Sequence, residues 1–321
     1  MPEPTPAGAT RHVLEVDDLR PDGLATVLDV AGRDPATLPR SLEGAGVALV
    51  FEKPSARTRS SSEMAVVALG GHPVYIQGSE VGIDTRETAE DVARTLASFH
   101  RIVCARVMDH RSLERMAAAL DAAGVPVPVV NLLSDWAHPC QALADLATLR
   151  QRFGAEGVRD RTVAYIGDAN NVWRSLALAA SMAGIPTRVA APAGYGPSDE
   201  DVGRVRALGG ELLVTEDPAE AADGADALYT DVWTSMGQED ETAARMEAFA
   251  GFCVDEALVA RAAPDAIVMH CLPAHRGEEI SAGVVDGPHS VVWQQAANRM
   301  HAMRGLLAWV TEAPGDGGTG T

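Results

Sequence analysis

Short apolar runs rich in Val, Ile and Ala alternate along the chain with longer stretches of helical period. That pattern belongs to parallel sheets covered by helices on both faces. It predicts strands over Val47–Phe51, Val74–Gln77, Ile102–Ala105 and Val127–Asn131, with helices over Ser60–Leu69, Thr88–Ser98 and Ser112–Ala123 between them. A longer helix is expected over His138–Arg152. The alternation then restarts with strands over Val163–Gly167, Thr187–Ala191, Glu211–Thr215, Ala227–Asp231 and Ile267–His270. The restart predicts a domain boundary at about Gly154. A final helix is expected over Gln294–Val310, before a tail in which Pro314, Gly315, Gly317, Gly318 and Gly320 break any regular structure. No internal repeat of solenoid period is present. The expected fold class is therefore α/β, with two domains that are each a mainly parallel sheet with helices on both faces.

Composition narrows the function. The 321 residues include 45 acidic and 26 basic side chains, for a formal charge of -19, with 46% apolar residues. Such a length suggests two domains of ~150 residues and allows roughly three quarters of the unfolded surface to be buried. The acidic balance argues against nucleic-acid and anionic membrane partners, so an anionic substrate must be held by a local cationic pocket. Cys104, Cys140, Cys253 and Cys271 lie far apart without C-x-x-C spacing. They fit neither a disulfide framework nor a zinc ribbon, and a reducing cytoplasm is the expected compartment. No apolar segment resembles a signal peptide or reaches the ~20 residues of a membrane span, so neither secretion nor anchoring is expected. Lys53 is the single lysine and lacks the glycine frame of a P-loop. Lysine Schiff-base chemistry is equally disfavoured.

Ligands in open α/β sheets bind beyond the carboxyl ends of strands, so polar clusters after strands have first claim on chemistry. The segment Glu52-Lys53-Pro54-Ser55-Ala56-Arg57-Thr58-Arg59-Ser60 follows a strand and leads into a helix. Free helix N–H groups, the Ser55 and Thr58 hydroxyls and a guanidinium suit a tetrahedral oxyanion, although a plain N-cap flanked by surface arginines has the same composition. Arg106 follows another strand. His138 and Gln141 share a face at the start of the long helix, with Pro139 in its first turn. Together with Arg106 they could polarise a carbonyl oxygen, whereas His138 alone could be a simple cap.

In the second half, Gly167-Asp168-Ala169-Asn170-Asn171 lacks the glycines of a dinucleotide fingerprint. Its two asparagines instead offer amides to the charged ends of an amino acid. Asp231 at a strand end could hold an ammonium, ahead of the segment Val232-Trp233-Thr234-Ser235-Met236-Gly237, or simply open an acidic connecting loop. His270-Cys271-Leu272-Pro273 places imidazole and thiol side by side, but adjacent ligands without partners at characteristic spacing make a poor zinc site.

Four of these clusters, with a fifth at Gln295 to Arg299, occur in the order and spacing of one family, over about Leu49 to Leu307. The chain resembles the ornithine carbamoyltransferases. The S-T-R-T-R signature of carbamoyltransferases stands here as Ser55-Ala56-Arg57-Thr58-Arg59, and H-P-x-Q as His138 to Gln141. The loop Asp231 to Gly237 and the run His270 to Pro273 resemble the segments that select ornithine over aspartate. Gln295-Ala296-Ala297-Asn298-Arg299 resembles Q-A-E-N-R.

The resemblance implies a carbamoyl-phosphate-binding domain over 1–153, an ornithine-binding domain over 154–293, and a C-terminal helix and tail over 294–321 that returns to the first domain. It implies that Ser55, the Ala56 backbone, Arg57 and Thr58 hold phosphate, and that Arg106, His138, Gln141 and Arg299 hold and polarise the carbonyl. Backbone at Cys271 and Leu272 would bind the carbamoyl amine. Asn171, Asp231, Ser235 and Met236 would receive L-ornithine, with Asp231, Cys271, Arg106 and His138 as catalytic residues. No metal or organic cofactor is implied. A homotrimer or a multiple of one is expected, with the loop Gln77 to Arg86 reaching a neighbouring subunit through Glu80. The implied reaction yields L-citrulline and phosphate in arginine metabolism. Transfer to a related amine, or a non-catalytic carbamoyl-phosphate-binding paralogue, are the alternatives. The sequence departs from the family pattern at Ala56 (usually Thr), Glu80 (usually Gln), Ala297 (usually Glu), Trp173 and Arg174.

Overall fold

The computed structural model describes residues 10–234 and 239–312. The chain forms two compact units, one of Met1–Cys140 with Arg299–Thr321, the other of Gln141–Asn298. After a first helix α1 (Arg20–Gly32), unit one runs β1 (Gly46–Phe51), α2 (Ala56–Ala68), β2 (His72–Gln77), α3 (Gly78–Val81), α4 (Ala89–Ala97), β3 (Ile102–Arg106), α5 (His110–Ala122) and β4 (Val129–Leu133). Helix α6 (Pro139–Phe153) carries the chain onward. Unit two then runs β5 (Val163–Ile166), α7 (Asn171–Ala183), β6 (Thr187–Ala190), α8 (Asp199–Ala207), β7 (Leu212–Thr215), α9 (Pro218–Ala222) and β8 (Ala227–Thr230). It closes with α10 (Thr242–Ala248), α11 (Glu256–Val259), β9 (Ile267–His270) and α12 (Ala282–Val285), and α13 (Val292–Thr311) brings the chain back. The division falls within α6 and α13, and the alternation of strands and helices does not mark it.

Both sheets are parallel throughout, in the orders β2-β1-β3-β4 and β7-β6-β5-β8-β9. Each order reverses once, between β1 and β3 in the first sheet and between β5 and β8 in the second. Those reversals are where connections leave to opposite faces and open a crevice for ligands. The inner strands β1, β3, β5 and β8 are almost wholly buried, which explains their unbroken apolar sequence. Ala48, Val50, Val103 and Ala105 pack under Leu113, Met116, Leu120 and Val92 in unit one. Ile166, Leu228 and Val268 pack with Trp233, Phe249 and Phe252 in unit two.

Two local differences from the sequence expectation have clear causes. Strand β4, last in its sheet, begins at Val129 rather than Val127, because Pro126 and Pro128 lack the N–H that a ladder hydrogen bond needs. Helix α2 begins at Ala56 rather than Ser60, since Ser55 is its N-cap. The candidate oxyanion segment is therefore the cap and first turn of the helix itself.

The returning helix α13 is fixed to α1 within unit one. Arg304, fully buried, donates from Nη2 to the carbonyls of Ala31 at 3.0 Å and Arg33 at 2.8 Å, capping the end of α1. At Gly305 a Cβ would collide with the Val27 carbonyl oxygen, so the two backbones can approach only where a side chain is missing. Gly305→Ala should cost about 1–3 kcal/mol through overpacking. A lowered thermal midpoint checks this, and an unchanged midpoint would contradict the close packing.

Candidate active site

Register places Arg106, the last residue of β3, beside Phe51, the last of β1, at the reversal in the first sheet. Immediately beyond Phe51, Ser55 caps α2 by accepting from the Thr58 N–H at 3.4 Å and donates to Thr58 Oγ1 at 3.1 Å. Arg299 reaches the same point from α13, with Nη2 donating to Thr58 Oγ1 at 3.0 Å and Nη1 lying 3.3 Å from His138 Nε2. Thr58, Arg106, His138 and Arg299 are each no more than 6% exposed. Four sequence candidates, from four separate segments, thus converge in unit one.

Electrostatics defines what this cluster is. A guanidinium only donates, so His138 Nε2 must accept, and the imidazole proton sits on Nδ1. Burial first, then the charges of Arg299, Arg106 and Arg57, hold the His138 pKa well below the ordinary imidazole value. The same causes act on Arg106, where burial followed by Arg299 and Arg57 pushes the pKa down to about 10. Three guanidiniums that repel one another around a neutral imidazole form a site for an anion with carbonyl character nearby.

Other parts of the expectation fall elsewhere. Arg59 turns to Glu63 at 2.8 Å and lies 3.8 Å over the Tyr75 ring, on the surface of α2. Ala56 is exposed in the first turn, and Ala297 is exposed on α13, so neither substitution leaves a hole. The Glu80 carboxylate caps α3 by accepting from Gln77 N at 2.6 Å, and Arg86 meets the Glu80 carbonyl at 3.0 Å. Its charge is thus used locally by a helix N-terminus.

In unit two, the reversal between β5 and β8 gathers the acceptor candidates. Asp231, 6% exposed, accepts at Oδ1 from the Cys271 thiol and from its neighbour Val232 N, both at 2.8 Å. Its Oδ2 accepts from Asn170 Nδ2 at 3.2 Å. Asn170 Oδ1 meanwhile caps α7 by accepting from Val172 N and Trp173 N. Of the two asparagines, Asn170 is therefore a cap and a brace for Asp231. Asn171 stands half-buried at the first position of α7. Arg174 is paired with buried Asp201 at the start of α8, and Trp173 is buried, so both departures from the family pattern serve packing. Ser235, Met236 and Gly237 lie outside the described residues.

His270 shapes the run that carries Cys271. Its Nδ1 accepts from Leu272 N at 2.8 Å, so Nε2 carries the proton and donates to Glu279 Oε1 at 3.0 Å, with both side chains fully buried. Leu272 is held at φ +62, a conformation that costs a non-glycine residue about 1–3 kcal/mol. Donor atoms of Asp231, His270 and Cys271 lie within 4.8 Å of one another, near enough for a metal ion. Both His270 nitrogens and Asp231 Oδ1 are nevertheless committed to hydrogen bonds. Cys140 is a different kind of thiol, buried with its pKa raised to about 11 chiefly by desolvation.

Sequence inspection missed two residues. Arg245 on α10 is 5% exposed and donates to Asp168 Oδ2 at 2.7 Å and to the Trp233 carbonyl at 3.0 Å, joining the turns after β5 and β8. Asp145 on α6 is fully buried and receives both Gln141 and Gln295. Arg245 sits in Ala244-Arg245-Met246 and is marked locally only by an i,i+4 pair with Glu241. Asp145, four residues after Gln141, was legible as a same-face partner.

Comparison with known proteins bears directly on these two half-sites. Residues 11–151 match the family model described as the carbamoyl-P binding domain of aspartate/ornithine carbamoyltransferase, and residues 159–310 match its Asp/Orn binding domain. An ornithine carbamoyltransferase of Acidothermus cellulolyticus is 50% identical, over 96% of this chain and 99% of that protein. The crystal structure of the Thermus thermophilus ornithine carbamoyltransferase superposes with a TM-score of 0.84 at 42% identity, covering 95% of this chain and 100% of that one. The Pyrococcus furiosus enzyme gives 0.86 at 41% identity, covering 94% and 96%.

The depressed Arg106 pKa sets a pH dependence. An anion bound to the charged guanidinium keeps its affinity below about pH 10 and loses it as pH rises through that value, up to about tenfold per unit. Calorimetric titration with inorganic phosphate from neutral pH to beyond pH 10 should show this loss, and Arg106→Gln should flatten it. A profile unchanged by Arg106→Gln would remove Arg106 from the anion site.

Proposed function

The chain belongs to the aspartate/ornithine carbamoyltransferase family, and from that premise we propose that it transfers the carbamoyl group of carbamoyl phosphate to the side-chain amine of L-ornithine, releasing L-citrulline and phosphate. The observation that carries the acceptor reading is the buried Asp231 carboxylate at the reversal of the second sheet, hydrogen-bonded to the Cys271 thiol. A carboxylate there suits an ammonium, and the adjacent thiol can relay the departing proton only by passing its own proton to Asp231 as it takes up the one from the amine.

In this reading Ser55, the Ala56 backbone N–H, Arg57 and Thr58 hold the phosphate group at the start of α2. Arg106, Arg299 and the neutral His138, donating through Nδ1, take the carbonyl oxygen. Gln141 has a different role from the carbonyl donor expected of it. Its Nε2 faces the Asp145 carboxylate at 2.8 Å, so its oxygen is turned the other way and suits the carbamoyl amine. Backbone at Cys271 and Leu272 would bind the same amine. Asn171, Asp231, Ser235 and Met236 would hold ornithine.

The reaction is an acyl transfer without a covalent enzyme intermediate. The ornithine amine, with an ordinary pKa near ~10.4, must shed a proton before its lone pair attacks the carbonyl carbon. Oxyanion charge then develops where Arg106, Arg299 and His138 donate, and the C–O bond to phosphate breaks with its electron pair going to phosphate. Holding both substrates in line supplies ~7 kcal/mol or more. We further place the protein in the cytoplasm and in arginine metabolism, as a homotrimer or multiple of one in which Glu80 faces a neighbouring copy. No helix among the described residues is long and apolar enough to cross a membrane.

Purified protein given carbamoyl phosphate should form citrulline from L-ornithine and leave putrescine, N-acetylornithine and aspartate uncarbamoylated. Equal or better turnover with another amine would overturn the acceptor assignment. Arg57→Ala should weaken carbamoyl-phosphate binding by about a hundredfold, the scale of a lost charged contact at such a site. Cys271→Ser should lower kcat while leaving phosphate inhibition near its original value. Wild-type rates in either variant would sink its assigned role.

A further inference from the structure

Asp145 takes no part in the chemistry above, yet it touches Gln141, which does, and reaches the backbone before Cys271 and Leu272 through Gln295. It lies one helical turn after Gln141 on α6 and is fully buried. Its Oδ1 accepts from Gln141 Nε2 at 2.8 Å and from Gln295 Nε2 at 2.7 Å. Gln295 is also fully buried, and its Oε1 accepts from His270 N at 2.9 Å, directly before Cys271 and Leu272.

A primary amide can present either end to a neighbour, and the two ends are nearly the same size. The sense of the amide is set by what it meets. Asp145 Oδ1 accepts from both amides, so the two converging on it turn their nitrogens inward and their oxygens outward. The Gln295 oxygen is thereby aimed at the His270 N–H, which fixes the backbone entering the Cys271–Leu272 run. The Gln141 oxygen is aimed away from the carboxylate, as an acceptor for an N–H donor. Side-chain networks of this kind, closed and buried, give their members a single arrangement.

We propose that Asp145 is a positioning residue that fixes the amide sense of Gln141 and, through Gln295, the backbone at His270, and so makes the enzyme select a carbamoyl amine attached to the phosphate over phosphate alone. This rests on the reading that Gln141 accepts from the carbamoyl amine. With Asp145 in place, turning the Gln141 amide would set an NH2 group against the substrate amine, donor against donor. Without it, both senses of the amide are open and the preference for carbamoyl phosphate over free phosphate collapses.

Initial-rate kinetics provide the readout, as the ratio between the KM for carbamoyl phosphate and the Ki for inorganic phosphate. Gln141→Met tests the underlying reading and should raise that ratio about tenfold, the scale of one hydrogen bond to an uncharged partner fully lost. Asp145→Leu, alike in branching but without an acceptor, should raise it by a similar factor. Asp145→Asn keeps an acceptor oxygen and should fall between wild type and Asp145→Leu. Adding Asp145→Asn to Gln141→Met should change the ratio little further, because the second substitution acts through the first residue.

An unchanged ratio in Gln141→Met would remove the Gln141 reading and the proposal with it. A raised ratio in Gln141→Met but not in either Asp145 variant would overturn the proposal alone. Equal weakening of carbamoyl phosphate and phosphate in the Asp145 variants, with a lowered thermal midpoint, would assign Asp145 to folding and also overturn it. The double substitution decides the matter even where Asp145→Leu does not fold: a full, additive effect of Asp145→Asn in the Gln141→Met background means that Asp145 does not act through Gln141.

Discussion

Everything in this protein's chemistry depends on keeping like charges together in a buried place. Arg106 and Arg299 are each 5% exposed, Arg57 stands exposed at the start of α2, and the imidazole is held neutral first by its burial and then by their charges. Such an arrangement is unfavourable until an anion enters, because burial and mutual repulsion both oppose the charged forms. The fold sustains it by anchoring each group from a different direction. A strand end holds Arg106, a capped helix start holds Thr58, the approach to α6 holds His138, and α13 brings back Arg299. Capping of α1 by Arg304 and the close backbone contact at Gly305 are therefore upstream of the site, since they fix the helix that carries Arg299.

A chain of net charge -19 is an unlikely anion binder at long range, and its fold resolves that tension locally. Both sheets reverse order once, and the two reversals carry opposite chemistry. The first presents arginines beside a helix N-terminus. The second presents Asp231 and Cys271 with an asparagine brace. In the proposed reading, anion and cation are received by the same architectural device used twice. Departures from the family pattern fit this division. Ala56 and Ala297 are exposed, Glu80 caps a helix, and Arg174 is spent on Asp201, so none of them rewrites either half-site.

Much of this was legible in the sequence, because parallel strands buried on both faces announce themselves as unbroken apolar runs. The nine strands among the described residues fall within two residues or so of the sequence expectation, and Arg106 and Asp231 stand at the two reversals. What remained hidden involves partners distant in sequence or the direction of a group. Nothing in His138 to Gln141 reveals that Arg299 fixes the imidazole proton on Nδ1, or that Asp145 turns the Gln141 amide. Asn170 and Asn171 look alike as residues, and only the start of α7 separates the cap from the first position of the helix. Arg245 shows locally only an i,i+4 pair with Glu241, whereas its meaning lies in joining Asp168 to the Trp233 carbonyl.

The account stands on His138 being neutral, with its proton on Nδ1, inside a field of three guanidiniums. Heteronuclear NMR of histidine-labelled protein, with the His138 signal identified by its loss in His138→Gln, measures that state directly. At about pH 6, where an unperturbed imidazole is mostly charged, the account predicts a neutral ring protonated on Nδ1. An imidazolium signal for His138 at that pH would contradict it, because a fourth cation could not be held there against Arg57, Arg106 and Arg299.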